Sequence, residues 1–283
     1  MSKPVVITVD SPADFSEELR KRYGISVIPL IVNLDGKSYK DGVDIVPEDI
    51  FRAYNESKIL PKTSAVPIPS YVDFFSSFTQ KGMDVIHISL SSQISSTYQN
   101  AVIAASELEN VYIVDSLSLC SGMALLAIRA CQMRDSGLDA EAIAKNLLEV
   151  RSRIKVTFII DKLDFLYKGG RCSALASFGA NILGIKPCIK MEDGVLDVGK
   201  KYRGKMEQVR LQYIQDELES AGGDIDLECA FLVHTGVDEG EMKKAHKYVM
   251  SRLKFKELHT VQAGCTITTH CGQNCFAFMY MTK

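Results

Sequence analysis

The 283-residue sequence has no run of 18 apolar residues, no Pro/Gly-rich linker, no internal repeat and no low-complexity tract. The first absence excludes a helix that spans a bilayer, and the others leave any domain boundary to be read from pattern alone. Charge of one sign is missing too. Against 35 Asp and Glu stand 33 Lys and Arg, for a formal net charge of -2, so no basic field exists to hold nucleic acid or an anionic membrane. The N-terminal stretch moves from Lys3-Pro4 straight into an apolar strand, without the long apolar segment and small-residue cleavage site of a secretion signal. A cytoplasmic location is therefore expected. The eight cysteines (Cys120, Cys131, Cys172, Cys188, Cys229, Cys265, Cys271 and Cys275) lack paired short spacings. In a long chain without a secretion signal they are expected to be reduced thiols rather than disulfides.

What is present is an ordinary globular balance of 46% apolar and 24% charged residues, enough for a substantial core in one large or two ordinary domains. The first half alternates short β-branched runs with longer helical stretches. Residues 4–9, 84–90 and 111–114 read as strands, and 14–23, 96–108, 119–136 and 139–153 as helices, with Ser11 as the cap of the first. Such alternation predicts a parallel sheet covered on both faces. Residues 28–41 read as an inserted hairpin turning at Asp35-Gly36. The second half changes rhythm: strands at 156–160 and 186–191, a turn at Asp193-Gly194, a return strand at 195–200, and helices at 204–219 and 239–253. Further strands are predicted at 227–233, 257–262, 265–268 and 275–281. The expected fold is thus α/β with two domains, a parallel-sheet N-terminal domain over 1–158 and an α+β domain with a mixed or antiparallel sheet over 159–283.

Hydroxyls and glycines gather at predicted strand ends and turns, where ligands collect in open α/β sheets. Pro61 to Pro67 bound a loop holding Thr63 and Ser64. Residues 89–101, with Ser95 and Ser96, leave a strand and enter a helix whose free amides favour an anionic group. The segment has neither the glycines nor the lysine of a P-loop or dinucleotide fingerprint. Lys168-Gly169-Gly170-Arg171 reads as a glycine helix terminus with an Arg beside it. His270 follows the β-branched run Thr266-Ile267-Thr268-Thr269.

With these residues in hand, the sequence resembles the DegV family, whose members include the fatty-acid-binding subunits of bacterial fatty acid kinase. The resemblance covers essentially the whole chain. It rests on Thr63-Ser64, on residues 94–101 (Ile-Ser-Ser-Thr-Tyr-Gln-Asn-Ala), on Lys168-Gly169-Gly170-Arg171, on Arg203 and on Thr269-His270, in the family's order and approximate spacing. It implies two α/β domains with a lipid site at their interface and a role in phospholipid metabolism. It further implies that Thr63, Ser95 and His270 hydrogen-bond a long-chain fatty acid's carboxyl group, with Ser64 and Ser96 nearby. Arg171 and Arg203 match basic positions used for phosphotransfer and for docking an ATP-binding kinase subunit. That partner is expected to carry ATP and Mg²⁺, with no cofactor, metal or catalytic residue in this chain. Two departures stand out: Ser96 occupies a position that is often Gly, and Gly272-Gln273-Asn274 replaces a glycine-proline-glycine after the His.

The long dry slot such a ligand needs is expected along helices 119–136 and 173–185, which are rich in small residues, including Ala174, Ala176, Gly179 and Ala180. Two other readings compete. A Ser/His acyl hydrolase would use Ser95 as nucleophile and His270 as base, with Asp10 or Asp115 orienting it, though no Gly-x-Ser-x-Gly elbow surrounds Ser95. A metal site would use Cys265, His270, Cys271 and Cys275, but strand alternation would scatter those side chains across two faces.

Overall fold

The computed structural model describes residues 3–172 and 184–283. The first half runs β1 (Val5–Asp10), α1 (Glu17–Tyr23), β2 (Ser26–Ile28), β3 (Ile31–Leu34), β4 (Lys37–Lys40), α2 (Pro47–Ser57) and β5 (Lys62–Ser64). It continues through α3 (Ile68–Thr79), β6 (Asp84–Ser89), α4 (Thr97–Ala105), β7 (Val111–Asp115), α5 (Ser121–Asp135) and α6 (Ala140–Val150). Strands β2-β1-β6-β7 form a sheet in that order with every pairing parallel, as helical crossovers between β-branched runs require. From β1 the chain goes to β2 on one side, while β6 pairs on the other. The crevice between the ends of β1 and β6 is therefore a topological switch point. The predicted hairpin is β3 and β4, paired across Asp35-Gly36, and β5 adds to β3 to make a small antiparallel sheet.

The second half runs β8 (Ile154–Ile159), α7 (Asp164–Gly169), β9 (Ile185–Glu192), β10 (Val195–Arg203), α8 (Met206–Ala221), β11 (Ile225–His234), α9 (Glu239–Arg252), β12 (Glu257–Gln262), α10 (Cys265–Cys271) and β13 (Phe276–Thr282). Its six strands lie in the order β10-β9-β8-β13-β11-β12. All neighbours are antiparallel except β11 and β12, which gives the mixed sheet that the pattern predicted.

Alternation along β13 divides the core. Ala277, Met279 and Met281 belong to the large cluster that includes β1, β6 and α5. Phe276, Phe278 and Tyr280 point the other way, into a cluster with α8 and α9. Between the two sheets lies α5, touching β1 and β6 on one side and β8, β11 and β13 on the other. Residues 121–128 of this helix are all buried, so it shows no polar stripe, as expected of a helix covered all round. Its approach to β8 is so close that a Cβ on Gly122 would come 2.7 Å from Val156.

Three local expectations need correction. Ser11 does not cap the first helix: Ser16 does, accepting from the Leu19 amide at 3.2 Å, while Ser11 donates to Asp41 and accepts from Leu30. The segment holding Thr63 and Ser64 is not a loop but strand β5. Residues 265–268, predicted as a strand from their β-branched run, open helix α10. Here tertiary capping overrides propensity: Asp14 accepts from the Gly264 amide at 2.8 Å, and Asp41 accepts from those of Cys265 and Thr266 at 2.8 and 3.2 Å.

Candidate functional site

A cavity of about 310 Å³ lies where β5, the loop after β6, α7 and α10 meet. Thr63, Ser64, Ser95, Ser96, Arg171 and His270 all line it. Apolar side chains, among them Leu30, Leu90, Leu119, Leu166 and Leu196, form much of the remaining wall. Six of the seven predicted site residues thus converge from four distant stretches of sequence. Arg203 is not among them; it sits exposed at the end of β10.

The polar side chains are unequal. Thr63 Oγ1 and His270 Nε2 share a hydrogen bond of 2.8 Å. Ser95 Oγ accepts from the Thr97 amide at 3.2 Å as α4 begins, a bond that leaves its own O–H available as a donor. Ser64 is exposed and accepts from Asn33 Nδ2 at 2.9 Å. Ser96 occupies the cap position of α4 without making a side-chain cap bond. Arg171 is exposed and donates to the Gly169 carbonyl at 2.6 Å.

Burial, helped by the positive charge of Arg171, pushes the His270 imidazole down to about 4. The ring is therefore neutral at physiological pH, and the positive charge at this end of the cavity belongs to Arg171. Among the described residues the buried His270 Nδ1 has no hydrogen-bond partner. None of their acids orients the ring, which a Ser-His-Asp arrangement requires. Asp10 is engaged instead with His87, Ser89, Tyr71 and Leu90, and Asp115 with the amides of Ser92 and Leu117. The hydrolase constellation is not assembled. Nor is a metal cluster: among the described residues no group of three or more His, Cys, Asp or Glu side chains could hold an ion, and none of the eight cysteines is in a disulfide.

The Lys168-Gly169-Gly170-Arg171 run explains itself in two parts. Gly170, at φ 68°, ends α7 in the left-handed conformation as the glycine-terminus reading expected. Gly169 has a different reason, for a Cβ there would stand 2.5 Å from His270 Nδ1. The bare backbone makes room for the imidazole. Two further devices position the polar side chains without touching the cavity. Asp10, at the end of β1, accepts from Ser89 Oγ at 2.7 Å and the Leu90 amide at 2.9 Å, holding the start of the serine loop. Its partner Tyr71 also bonds Thr97 Oγ1 at 2.8 Å, at the other end of that loop. Asp14 and Asp41 hold the beginning of α10, whose last turn carries His270. Sequence reasoning missed both devices. The signal for them was faint: an Asp at the C-terminal end of a strand, and two acids far in sequence from the helix they cap.

The expected slot along residues 119–136 is not where the cavity runs. Leu119, just before α5, reaches it, while α5 itself is consumed in packing the two sheets together. Ala174, Ala176, Gly179 and Ala180 lie outside the described residues.

Comparison with known proteins agrees over the full length. A DegV domain-containing protein of Caldanaerobacter subterraneus is 35% identical over 281 residues, covering 99% of both chains, and one of Clostridium acetobutylicum is 33% identical over 283 residues. Among solved structures, a fatty-acid-binding DegV family protein of Thermus thermophilus superposes with a TM-score of 0.90 at 26% identity, covering 100% of each chain. A stearic-acid-binding protein of Eubacterium ventriosum matches with a TM-score of 0.87 at 28% identity, over 100% of this chain and 99% of that one. The family model for "Uncharacterised protein, DegV family" matches residues 4–283, and the chain is a member of the DegV family.

Proposed function

We propose that this protein binds a long-chain fatty acid, buries its tail in the cavity between the sheets and presents the carboxylate at the Thr63–Ser95–His270 end. The observation that carries this reading is the division of one cavity into a hydroxyl-and-imidazole end and an otherwise largely apolar wall. The tail gains about 0.8 kcal/mol for each methylene removed from water, offset by the cost of association and of ordering the chain. The carboxylate would lose several kcal/mol if buried without partners. In the free protein Thr63 and His270 satisfy each other. A carboxylate arriving between them replaces that one bond with two, adds the Ser95 hydroxyl as donor, and finds its counter-charge in Arg171 rather than in the neutral imidazole.

The reading extends to chemistry that this chain does not perform alone. Phosphorylation to an acyl phosphate needs positioned cations and Mg²⁺, which we assign with ATP to a separate kinase subunit in the cytoplasm. Arg171, exposed at the mouth, is suited to an incoming phosphoryl group, and the exposed Arg203 to docking.

Titration of delipidated protein with palmitate tests the binding step. The Thr63→Ala, Ser95→Ala and His270→Ala variants are each expected to lose roughly tenfold in affinity, about 1.4 kcal/mol. Unchanged affinity in all three removes the head-group assignment. Acyl phosphate formation with Mg-ATP and the kinase subunit tests the second step: Arg203→Ala should lower turnover while palmitate affinity holds, and Arg171→Ala should lower turnover by more than it lowers affinity.

A further inference from the structure

Adjoining the cavity is a second, smaller void of about 10 Å³, close to the 10–15 Å³ that one water needs. The two share four lining residues, Leu119, Phe158, Ile267 and Cys271. None of the six polar head-end residues lines the small void, so the described wall that the two have in common is three apolar side chains and a thiol.

The sheet itself makes this void. On β13, Ala277 stands in register between Phe158 of β8 and Val233 of β11. A methyl group between two larger side chains leaves a notch in the sheet face. Ala263, immediately before α10's cap residue, faces the same space and removes little of it. Met279, two residues along β13 on the same face, is an unbranched and adaptable neighbour. Cys120, Cys275, His234 and Thr235 complete the lining; Thr235 bonds the Gly272 carbonyl and the Cys275 amide, His234 Nδ1 accepts from the Val237 amide, and the two thiols stay uncharged. Burial holds the Cys120 thiol well above its usual value, and the hydrogen bond with Cys271 together with burial does so for Cys275.

We propose that the methyl end of the acyl chain passes between Phe158 and Ile267 and lodges against Ala277, so that these three residues set the longest chain the protein accepts. This rests on the fatty-acid reading and deepens it. Phe158 is 2% exposed and fixed in the sheet, whereas Ile267 is only partly buried, on a two-turn helix. Of the two, Ile267 is the side that yields. The empty space beyond is smaller than a propyl group, so each methylene that enters must be admitted by displacement of Ile267 and Met279. Preference for chain length is therefore a cut-off rather than a gradual decline.

Affinities for saturated fatty acids from dodecanoate to eicosanoate, measured on delipidated protein, decide the matter. Up to the cut-off, each methylene should add about fourfold. Ala277→Leu fills the notch and should move the cut-off to shorter chains, costing the longest ligand roughly tenfold or more with dodecanoate unchanged. Ile267→Ala should move it to longer chains. Ala263→Val supplies a second filling variant should Ala277→Leu fail to fold. If the filling and opening variants leave the profile unmoved, or shift all lengths in parallel, the tail ends elsewhere and the proposal is wrong. A wild-type protein that takes no fatty acid of any length sinks the fatty-acid reading itself, which is a different result.

Discussion

Asp10 and Asp14 sit four residues apart, both buried, and hold their protons in opposite ways. Around Asp10, burial opposes ionisation, but the electrostatics and hydrogen bond of His87, with those of Tyr71 and the Leu90 amide, outweigh it and keep the carboxyl below its ordinary value. Around Asp14, burial raises the carboxyl to about 7, and the neighbouring Asp41 adds to the rise; bonds from Cys120 and Gly264 recover only part. The difference lies in the donors. Asp10 gathers a phenol, an imidazole, a hydroxyl and an amide, whereas Asp14 has one amide, one thiol and a second acid nearby. Each holds one arm of the polar end: Asp10 the serine loop, Asp14 the root of α10. One arm is fixed at all physiological pH, and the other has a titratable root.

The largest test of this contrast is Asp10→Ala. It strands His87, Ser89, Tyr71 and the Leu90 amide in a dry interior, and should cost about 3–5 kcal/mol, read as a fall in the urea midpoint. A loss below about 1 kcal/mol would erase the distinction between the two acids.

Next comes the pH dependence of Asp14. Its folded value of about 7 exceeds the ordinary 3.8, so between those limits the folded state binds more protons than the unfolded chain. Its contribution to stability is complete below about pH 4 and is lost as pH rises to 7, on the order of 4 kcal/mol at most. Asp14→Asn should flatten that slope. Asp10 has the opposite sign, its contribution being present above the ordinary carboxylate value and lost as pH falls through its lowered one. Urea unfolding of both variants from pH 4 to 8 separates the two acids.

A smaller effect is expected of Tyr71→Phe, which removes one charge-assisted donor from Asp10 and the link to Thr97, at about 1.5–3 kcal/mol. Smallest is Gly169→Ala. It leaves both acids alone and displaces His270 directly, so it should lower palmitate affinity roughly tenfold with little change in thermal midpoint. If stability falls instead, the ring has no room to move and the backbone gives way.

Much of this arrangement was legible in the sequence, and the limits of legibility have a physical shape. The parallel sheet followed from β-branched runs separated by helical lengths, and the mixed sheet from the Asp193-Gly194 turn and the closing strands. The polar end was legible as separate hydroxyl and glycine segments, and their convergence only through resemblance, because Thr63 and His270 are 207 residues apart. What could not be read were elements whose cause is tertiary. Thr266-Ile267-Thr268-Thr269 has strand propensity, and two carboxylates from the other half of the chain turn it into a helix. Gly169 looks like any helix terminus until His270 is placed against it. Helix α5, with its small residues, fits a ligand-lining helix equally well until both sheets are seen to use it up.

That last feature has consequences for how the molecule comes apart. A helix drawn from the first half of the chain forms the middle of a single apolar cluster whose other members come from both sheets. Neither half can then melt and leave the other intact, because α5 would be stripped on one side whichever half opened. Calorimetry should accordingly record one cooperative transition, and severing the chain between α6 and β8 should yield two insoluble fragments rather than two domains.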